Sequence, residues 1–583
     1  MTLEPVPPFV SSEGAHGDFL LSRRKVPGMA AFARGKGGQS LETEHWSLYA
    51  FGFPARIRPD DTLLSGTYAV DGSFGSGPTP TARLPGGMGN WWRLTLGTDR
   101  ATVTTDDFGM CKVFAGRGLV SNRLHLIREA LERADALRFD LAAAKAGLYS
   151  SSSFSEGLST FRTHLHGVRL LRAGQGIDSH GETVASPLAL EPGRIDESEY
   201  HALVEKGAAE IVDNVGAALD RHGAVQVAIT GGRDSRILLA ALVAMDRVGD
   251  VRFTTQPRGL DVPIATGLVK TYGGRYGGVG TPGGTRHIPI GIGLRRFESL
   301  TYGTHNHYPR SIRKTLFGQS QAPYLYLGGG CGEIYRKFYQ SSAFKAVEKA
   351  ARATEGTLRE MVLAGGSTAR RLDEAHMESV LEPMLETMTS LPGRNLSERM
   401  DAHYLEFRNR THFGTPLGLG GGVGWTPLLS RSLLRAAWGL PWKAKRSGRV
   451  VFDVTRALCE RLAYTAYDSA STDFSRVPYH RPGPLDGQVL PVEPAPEILR
   501  VPPAGPVEAG PTVPKVDFDA VIAGRLEAEF VRLRELGLAG YASDDVVRYV
   551  AALRAKGSLG RVQNWETVLR RLRRIAEDGR VAE

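Results

Sequence analysis

The sequence predicts a protein of mixed α+β and α/β class, with a strand-rich N-terminal half followed by a unit built on a parallel sheet with helical additions. Three observations predict it. Short β-type runs separated by Gly, Pro and Asp clusters fill residues 45–125, a strand–turn–helix–strand–helix alternation begins near residue 224, and residues 341–465 are mostly helical in character. At 583 residues the chain exceeds what one core normally serves, so two or three domains are expected.

The elements follow in order. Residues 1 to about 40 are punctuated by Gly and Ser and carry little periodicity, which reads as an arm or a loosely docked strand. HWSLYAFGF, WWRLTLG, ATVTT and CKVFAG are strand runs, and DGSFGSGPTPT and LPGGMGN are the turns between them. Trp91 and Trp92 read as packing residues of that sheet. LHLIREALERADALRFDLAAAKAGL has helical spacing, as does ESEYHALVEKGAAEIVDNVGAALDRHG. The run AVQVAIT is a buried strand, and the helix ILLAALVAMDRV, the strand VRFTT and the helix PIATGLVKTYGG come after it, which argues parallel strands with crossovers. Eleven of the 33 prolines fall between Pro478 and Pro514, a density that excludes regular helix and suggests an extended wrap or linker. A helical unit over 516–583 comes next.

Composition narrows the class. Hydrophobic residues make up 42% and charged residues 23%, ordinary values for a soluble protein. No window approaches eighteen uncharged apolar residues, so no membrane partner is expected, and the first residues lack the pattern of a secretory signal. Cys111, Cys331 and Cys459 form neither a disulfide framework nor a CxxC pair, which makes a cytoplasmic location the default. The net charge of +10 is spread along the chain, so no nucleic-acid partner is expected. The one dense cluster, Arg570, Arg571, Arg573 and Arg574, reads as the solvated face of a helix. His305 and His307 read as polar surface rather than a metal pair.

The chemistry is concentrated in AVQVAITGGRDSRILLAAL. A buried strand ends at Thr230, Gly231 and Gly232 make the turn, and Asp234 and Ser235 open the next helix. Two glycines let backbone approach an anion, and the first N–H groups of the helix point at it with the macrodipole behind them. Thr230 and Ser235 add hydroxyls, Asp234 an oxygen ligand suited to Mg²⁺, and Arg236, just past the loop, reads either as a phosphate contact or as a solvent-facing residue. GxxxxGK[ST] is absent, so γ-phosphoryl transfer is not implied.

TGGRDS resembles the SGGxDS pyrophosphate loop of the ATP-pyrophosphatase superfamily, with Thr230 in place of the first serine. Further segments are similar to the asparagine synthetase family. YLYLGGGCGEIYRKFY resembles its SGEGADELFGGY loop, with Glu333 on the glutamate, Gly328 and Gly330 on glycines, and Gly332 where the magnesium-binding aspartate falls. YLEFRNRTHFG, TPLLSRSLLRAAWGLP and KAKRSGRVVF resemble the family's later R-x-S-M, R-x-P-F-L-D and K-x-x-L-R series. Ser430 stands there for an aspartate, and Arg449, Lys443 or Lys445 for a late lysine. TDDFGMCKVFAGRGLVSNRLHLI and HGVRLLRAGQGI resemble stretches of its N-terminal glutaminase domain, of class II amidotransferase and Ntn-hydrolase type.

The resemblance implies a degenerate Ntn-like β-rich sandwich over 1–190 and an ATP-pyrophosphatase domain of adenine nucleotide alpha hydrolase type over 195–477. A Pro-rich linker over 478–515 and a helical segment over 516–583 complete the division. It implies ATP and Mg²⁺ as cofactors. Thr230 to Ser235 would bind the pyrophosphate, Ile229, Thr254, Thr255, Gly328 and Gly329 the adenosine, and Asp234 and Glu333 the metal. Glu333, Arg410, Lys443 and Arg449 would face the substrate. The glutaminase requires a cysteine at position 2, and Thr2 stands there, so no glutaminase activity is expected. The implied activity is that of an AMP-forming carbon–nitrogen ligase, akin to β-lactam synthetases and lasso-peptide cyclases. It would adenylate a small-molecule or peptide carboxylate and pass it to an amine other than glutamine-derived ammonia, in a biosynthetic setting. Two rivals are an RNA-modifying member of the superfamily and a degenerate nucleotide-binding partner. The oligomeric state stays open, a homodimer included.

Overall fold

Alternating apolar residues in the first 190 positions build two antiparallel sheets that face each other. The computed structural model describes residues 17–70, 73–77, 79–80, 88–149, 157–255, 261–277, 304, 325–339, 350, 352–365, 374–414, 423–468, 484–495, 518–538, 544–555 and 563–581. One sheet has six strands, in the order Arg169–Leu170, Phe114–Gly116, Leu119–Ser121, Asp18–Ser22, Ser47–Phe51, Gln39–Glu42. The other has seven, in the order Thr183–Ala185, Gly176–Asp178, Ala101–Thr105, Met88–Leu96, Thr62–Val70, Ser73–Ser76, with Thr79–Pro80 also pairing with Thr62–Val70. Phe19, Leu21, Leu48, Trp92, Leu94 and Val103 fill the space between the sheets. The opposite-facing Leu20, Tyr49 and Phe51 pack on the helices Met29–Gly35 and Leu124–Arg133. This period-2 division explains both layers. Trp92 is fully buried, its ring 4.5 Å from that of Phe19, in the packing role expected of it.

Two expectations are corrected here. The segment expected to be an arm or a loosely docked strand contributes Asp18–Ser22, a strand set firmly in the interior of the six-stranded sheet and buried at every position. Burial on both faces leaves no polar alternation in DFLLS, which is why it carried no periodic signal. The helical stretch after residue 124 is two helices, Leu124–Arg133 and Leu141–Tyr149, because Asp135 adopts a left-handed conformation with φ 51°.

The second half is built on a five-stranded parallel sheet in the order Arg275–Tyr276, Arg252–Thr254, Val225–Ala228, Leu325–Leu327, Val423–Trp425. The helix Asp234–Ala244 is apolar nearly all round and accordingly buried, covered by the helices Glu197–Arg221 and Arg449–Leu458. Glu197–Arg221 also packs on strands Thr62–Val70 and Ser73–Ser76, joining the halves. The described part of the Pro-rich stretch runs beside this unit: Leu490 pairs with Thr465, and Ala495 N–H donates to Thr266 Oγ1 at 3.2 Å.

The helix Gln563–Asp578 returns to the N-terminal half and packs on Leu141–Tyr149, and Phe139 N–H donates to the Arg580 carbonyl at 2.8 Å. That contact corrects the solvated reading of the arginine cluster. Arg570, Arg571, Arg573 and Arg574 are half-buried, and Arg573 is ion-paired with Glu529 at 2.6 Å and Glu577 at 2.7 Å. Among the described residues no helix is long and apolar enough to cross a membrane.

Candidate functional site

The parallel sheet runs outward from Val225–Ala228 through two strands on one side, then returns to place Leu325–Leu327 and Val423–Trp425 on the other. The switch point therefore lies between Val225–Ala228 and Leu325–Leu327, where the loops leaving the strand ends diverge and sheets of this kind receive ligands. The loops that leave there are Ile229–Arg233 and Gly328–Cys331, the two glycine-rich segments singled out in the sequence.

The first loop is fixed by its own hydroxyls. Thr230 N–H donates to Ser235 Oγ at 3.0 Å, the two side-chain oxygens are 3.0 Å apart, and Gly232 N–H donates to Thr230 Oγ1 at 3.2 Å. Ile229 is buried and its N–H donates to the Thr254 carbonyl at 2.9 Å, while Thr254 and Thr255 are half-buried at the end of the neighbouring strand. Arg236, the next residue but one after Asp234, is wholly internal. It donates to the carbonyls of Gly231, Leu462, Thr465 and Ala466 and lies 3.6 Å over the Tyr467 ring, pinning the loop to the chain beyond residue 460.

The second loop is seated directly against the first. A Cβ on Gly329 would stand 2.7 Å from Ser235 Cα, and one on Gly332 would stand 2.5 Å from Asp234 Cβ. No side chain fits at 332 unless Asp234 shifts, because Asp234 occupies that space.

Beside this contact lies a charged cluster. Arg336 donates from Nη2 to Asp234 Oδ2 at 2.7 Å and from Nε to Oδ1 at 3.2 Å. Burial works against the Arg336 charge, and the Asp234 carboxylate outweighs it, holding the guanidinium above its usual value. Burial, then the Asp234 charge, pushes the Glu333 carboxyl up to about 7, with Arg336 and Arg408 opposing. Glu333 Oε2 is buried and has no hydrogen-bond partner among the described residues. Tyr404 and Arg408 reach the cluster from a π-helical turn, Tyr404–Asn409; the Tyr404 ring stacks on Phe338 at 4.4 Å and Arg408 lies 4.9 Å over the same ring. π-Turns recur at functional sites because the widened turn re-aims side chains.

The other basic residues expected to face the substrate are placed differently. Arg410 is fully buried and donates to the Gly109 and Leu171 carbonyls and to the Glu406 carboxylate, a strut between the two halves. Arg449 is spent on Glu197 at 2.9 Å and Asp453 at 3.3 Å, its guanidinium 4.3 Å over Tyr200. Lys443 is exposed, whereas Lys445 is buried, 3.0 Å from Asp401 and 4.0 Å over the Trp438 ring. Ser430 caps the helix Arg431–Gly439 and donates to Glu210 at 2.6 Å. His305 and His307 lie outside the described residues. Sequence reasoning missed Arg336 and Arg408. The available signal was a charged pair, Arg336-Lys337, where the resembling motif carries two glycines.

A divalent cation fits this donor set. Asp234 and Glu333 are adjoining carboxylates, one with an orphaned oxygen, and their mutual repulsion is what a cation would relieve. Among the described residues no group of three His, Cys, Asp or Glu converges, so phosphate and water oxygens would complete the shell, as is usual for Mg²⁺.

Comparison with known proteins adds no relative: no family model matches the chain, and no curated protein matches it.

Proposed function

We propose that the chain is an ATP-dependent, AMP-forming carbon–nitrogen ligase with an asparagine synthetase-like ATP-pyrophosphatase domain and an Ntn-like sandwich lacking glutaminase activity. The observation that carries this reading is the juxtaposition of the Thr230–Ser235 loop with the Gly328–Glu333 segment at the switch point of a parallel sheet. N–H groups at the start of helix Asp234–Ala244 bind the triphosphate end, and the adenosine lies along Ile229, Thr254, Thr255, Gly328 and Gly329. Asp234 and Glu333 would hold Mg²⁺, which would offset the charge of the departing pyrophosphate.

With the loop gripping the β- and γ-phosphates, the α-phosphorus faces the acid. A carboxylate oxygen forms a bond to the α-phosphorus and the bond to the bridging oxygen breaks, giving an acyl adenylate and pyrophosphate. An amine then attacks the acyl carbon, AMP leaves, and the ammonium proton passes to solvent or a basic group.

The test is product analysis. With its acid and amine the protein should convert ATP to AMP and pyrophosphate, and Asp234→Ala should lose turnover by about 10²-fold or more. ADP and phosphate as products would overturn the mechanism, and full activity in Asp234→Ala would overturn the site. A nucleotide-binding partner without turnover is the second reading, favoured by the ion pair that engages Asp234. ATP binding with no product for any acid–amine pair would select it. An RNA-modifying role keeps less support, because the one dense basic cluster is packed against the chain itself.

A further inference from the structure

We propose that Arg336 is a phosphate-binding residue, a guanidinium held in position by Asp234 that joins Arg233 in gripping the pyrophosphate end of a nucleoside triphosphate. The inference rests on the nucleotide reading of the Thr230–Ser235 loop and adds to it a residue from a segment about a hundred positions away.

The geometry of the ion pair leaves Arg336 available. Nε and Nη2 face Asp234, which uses one edge of the fork, and Nη1 makes no hydrogen bond among the described residues. The side chain is anchored at one edge and keeps 18% of its surface exposed. A guanidinium fixed in this way loses little rotamer freedom when it binds phosphate, and its planar fork matches two phosphate oxygens.

The surroundings point to an anion. Arg233 lies at the same helix start, half-buried, one residue before the Asp234 that Arg336 grips with its fork. The two guanidiniums therefore flank the first turn of helix Asp234–Ala244, whose first N–H groups also favour an anion. A polyphosphate placed among them and the helix N–H groups would be held by both cations and the macrodipole. Asp234 then has two tasks: it orients Arg336 on one side and offers oxygens to a cation on the other.

The experiment is calorimetric binding of inorganic pyrophosphate, ATP and adenosine to the full chain, with and without Mg²⁺, in wild type, Arg336→Gln and Arg336→Lys. Arg336→Gln should weaken pyrophosphate and ATP by about tenfold or more and leave adenosine unchanged. Arg336→Lys, which keeps the charge and loses the fork, should recover part of the loss. If Arg336→Gln fails to fold, Arg336→Lys decides the question, with a selective loss of phosphate affinity expected. Pyrophosphate binding equal to wild type in the variants overturns the proposal while the nucleotide site stands. An equal fall in adenosine affinity assigns Arg336 to structure alone and also overturns it. Wild-type protein that binds neither ATP nor pyrophosphate overturns the nucleotide reading together with it.

Discussion

Asp234 is the most constrained side chain of the candidate site: Gly332 lies against its carbons and Arg336 holds both its oxygens. A Cβ at position 332 would come within 2.6 Å of Asp234 Oδ1, and the carboxylate cannot yield without giving up its ion pair. Gly332→Asp, which installs the residue that the resembling motif carries, is therefore expected to harm the protein. Overpacking of this kind costs about 1–3 kcal/mol, and nucleotide affinity should fall with it. Urea unfolding and ATP binding of the variant check both. An unchanged midpoint with tighter magnesium binding would mean that the loop opens to accept the side chain. Gly332 and Arg336 therefore act on the same side chain, because the space and the charge at Asp234 are shared.

At the scale of elements, the helix Leu396–His403 passes directly into the π-turn Tyr404–Asn409, and the residues on that junction divide between two directions. Glu406 accepts from the Ala173 N–H at 2.9 Å on the side of the antiparallel half, and Arg408 turns toward Phe338 and Glu333. His403, at the junction, is buried with Nε2 2.8 Å from the Ser159 carbonyl, and burial pulls its imidazole down to about 4. In the unfolded chain the ring titrates near its ordinary 6.5, so between these values the unfolded state binds more protons. This contribution to stability is complete above pH 6.5 and is lost as pH falls toward 4, to a limit of about 3 kcal/mol. His403→Gln should flatten that part of the acid limb, measured as urea midpoints from pH 7.5 to 4. A slope as steep as wild type would assign the acid sensitivity to other groups.

The elements also show why sequence reading reached some of the site and missed the rest. The Thr230–Ser235 loop was legible because strand, turn, hydroxyls and helix start are consecutive residues whose geometry is local. Arg336 and Arg408 come from segments distant along the chain and acquire their meaning only where the sheet order and the π-turn bring them to Asp234 and Glu333. Arg410 and Arg449 were read as chemistry because a lone basic residue looks alike in sequence whether it meets a substrate or a buried carboxylate.

For the whole molecule, the decisive structure is the seam between the antiparallel half and the helices that carry the second loop. Asn90 Nδ2 donates to the Gly414 carbonyl at 2.8 Å, Lys112 Nζ to the Arg410 carbonyl at 3.3 Å, and the Arg410 guanidinium crosses the other way to Gly109 and Leu171. Phe413, three residues on, packs its ring on Gly330 of the second loop, so the seam and the site share one segment. The sandwich thus has a structural task independent of any glutaminase chemistry: it fixes the platform on which the glycine loop rests. Arg410→Met tests this, since it keeps length and apolar bulk while leaving two carbonyls and part of the Glu406 carboxylate without their donor. Breaking one partner of a buried pair costs about 3–5 kcal/mol, and the loss should appear in calorimetry as separate unfolding of the antiparallel half ahead of the parallel-sheet unit. Nucleotide affinity should weaken as a consequence of the loosened loop, in step with the loss of stability. Wild-type stability with turnover alone abolished would instead return Arg410 to the substrate side, and the seam would then rest on the Asn90 and Lys112 bonds.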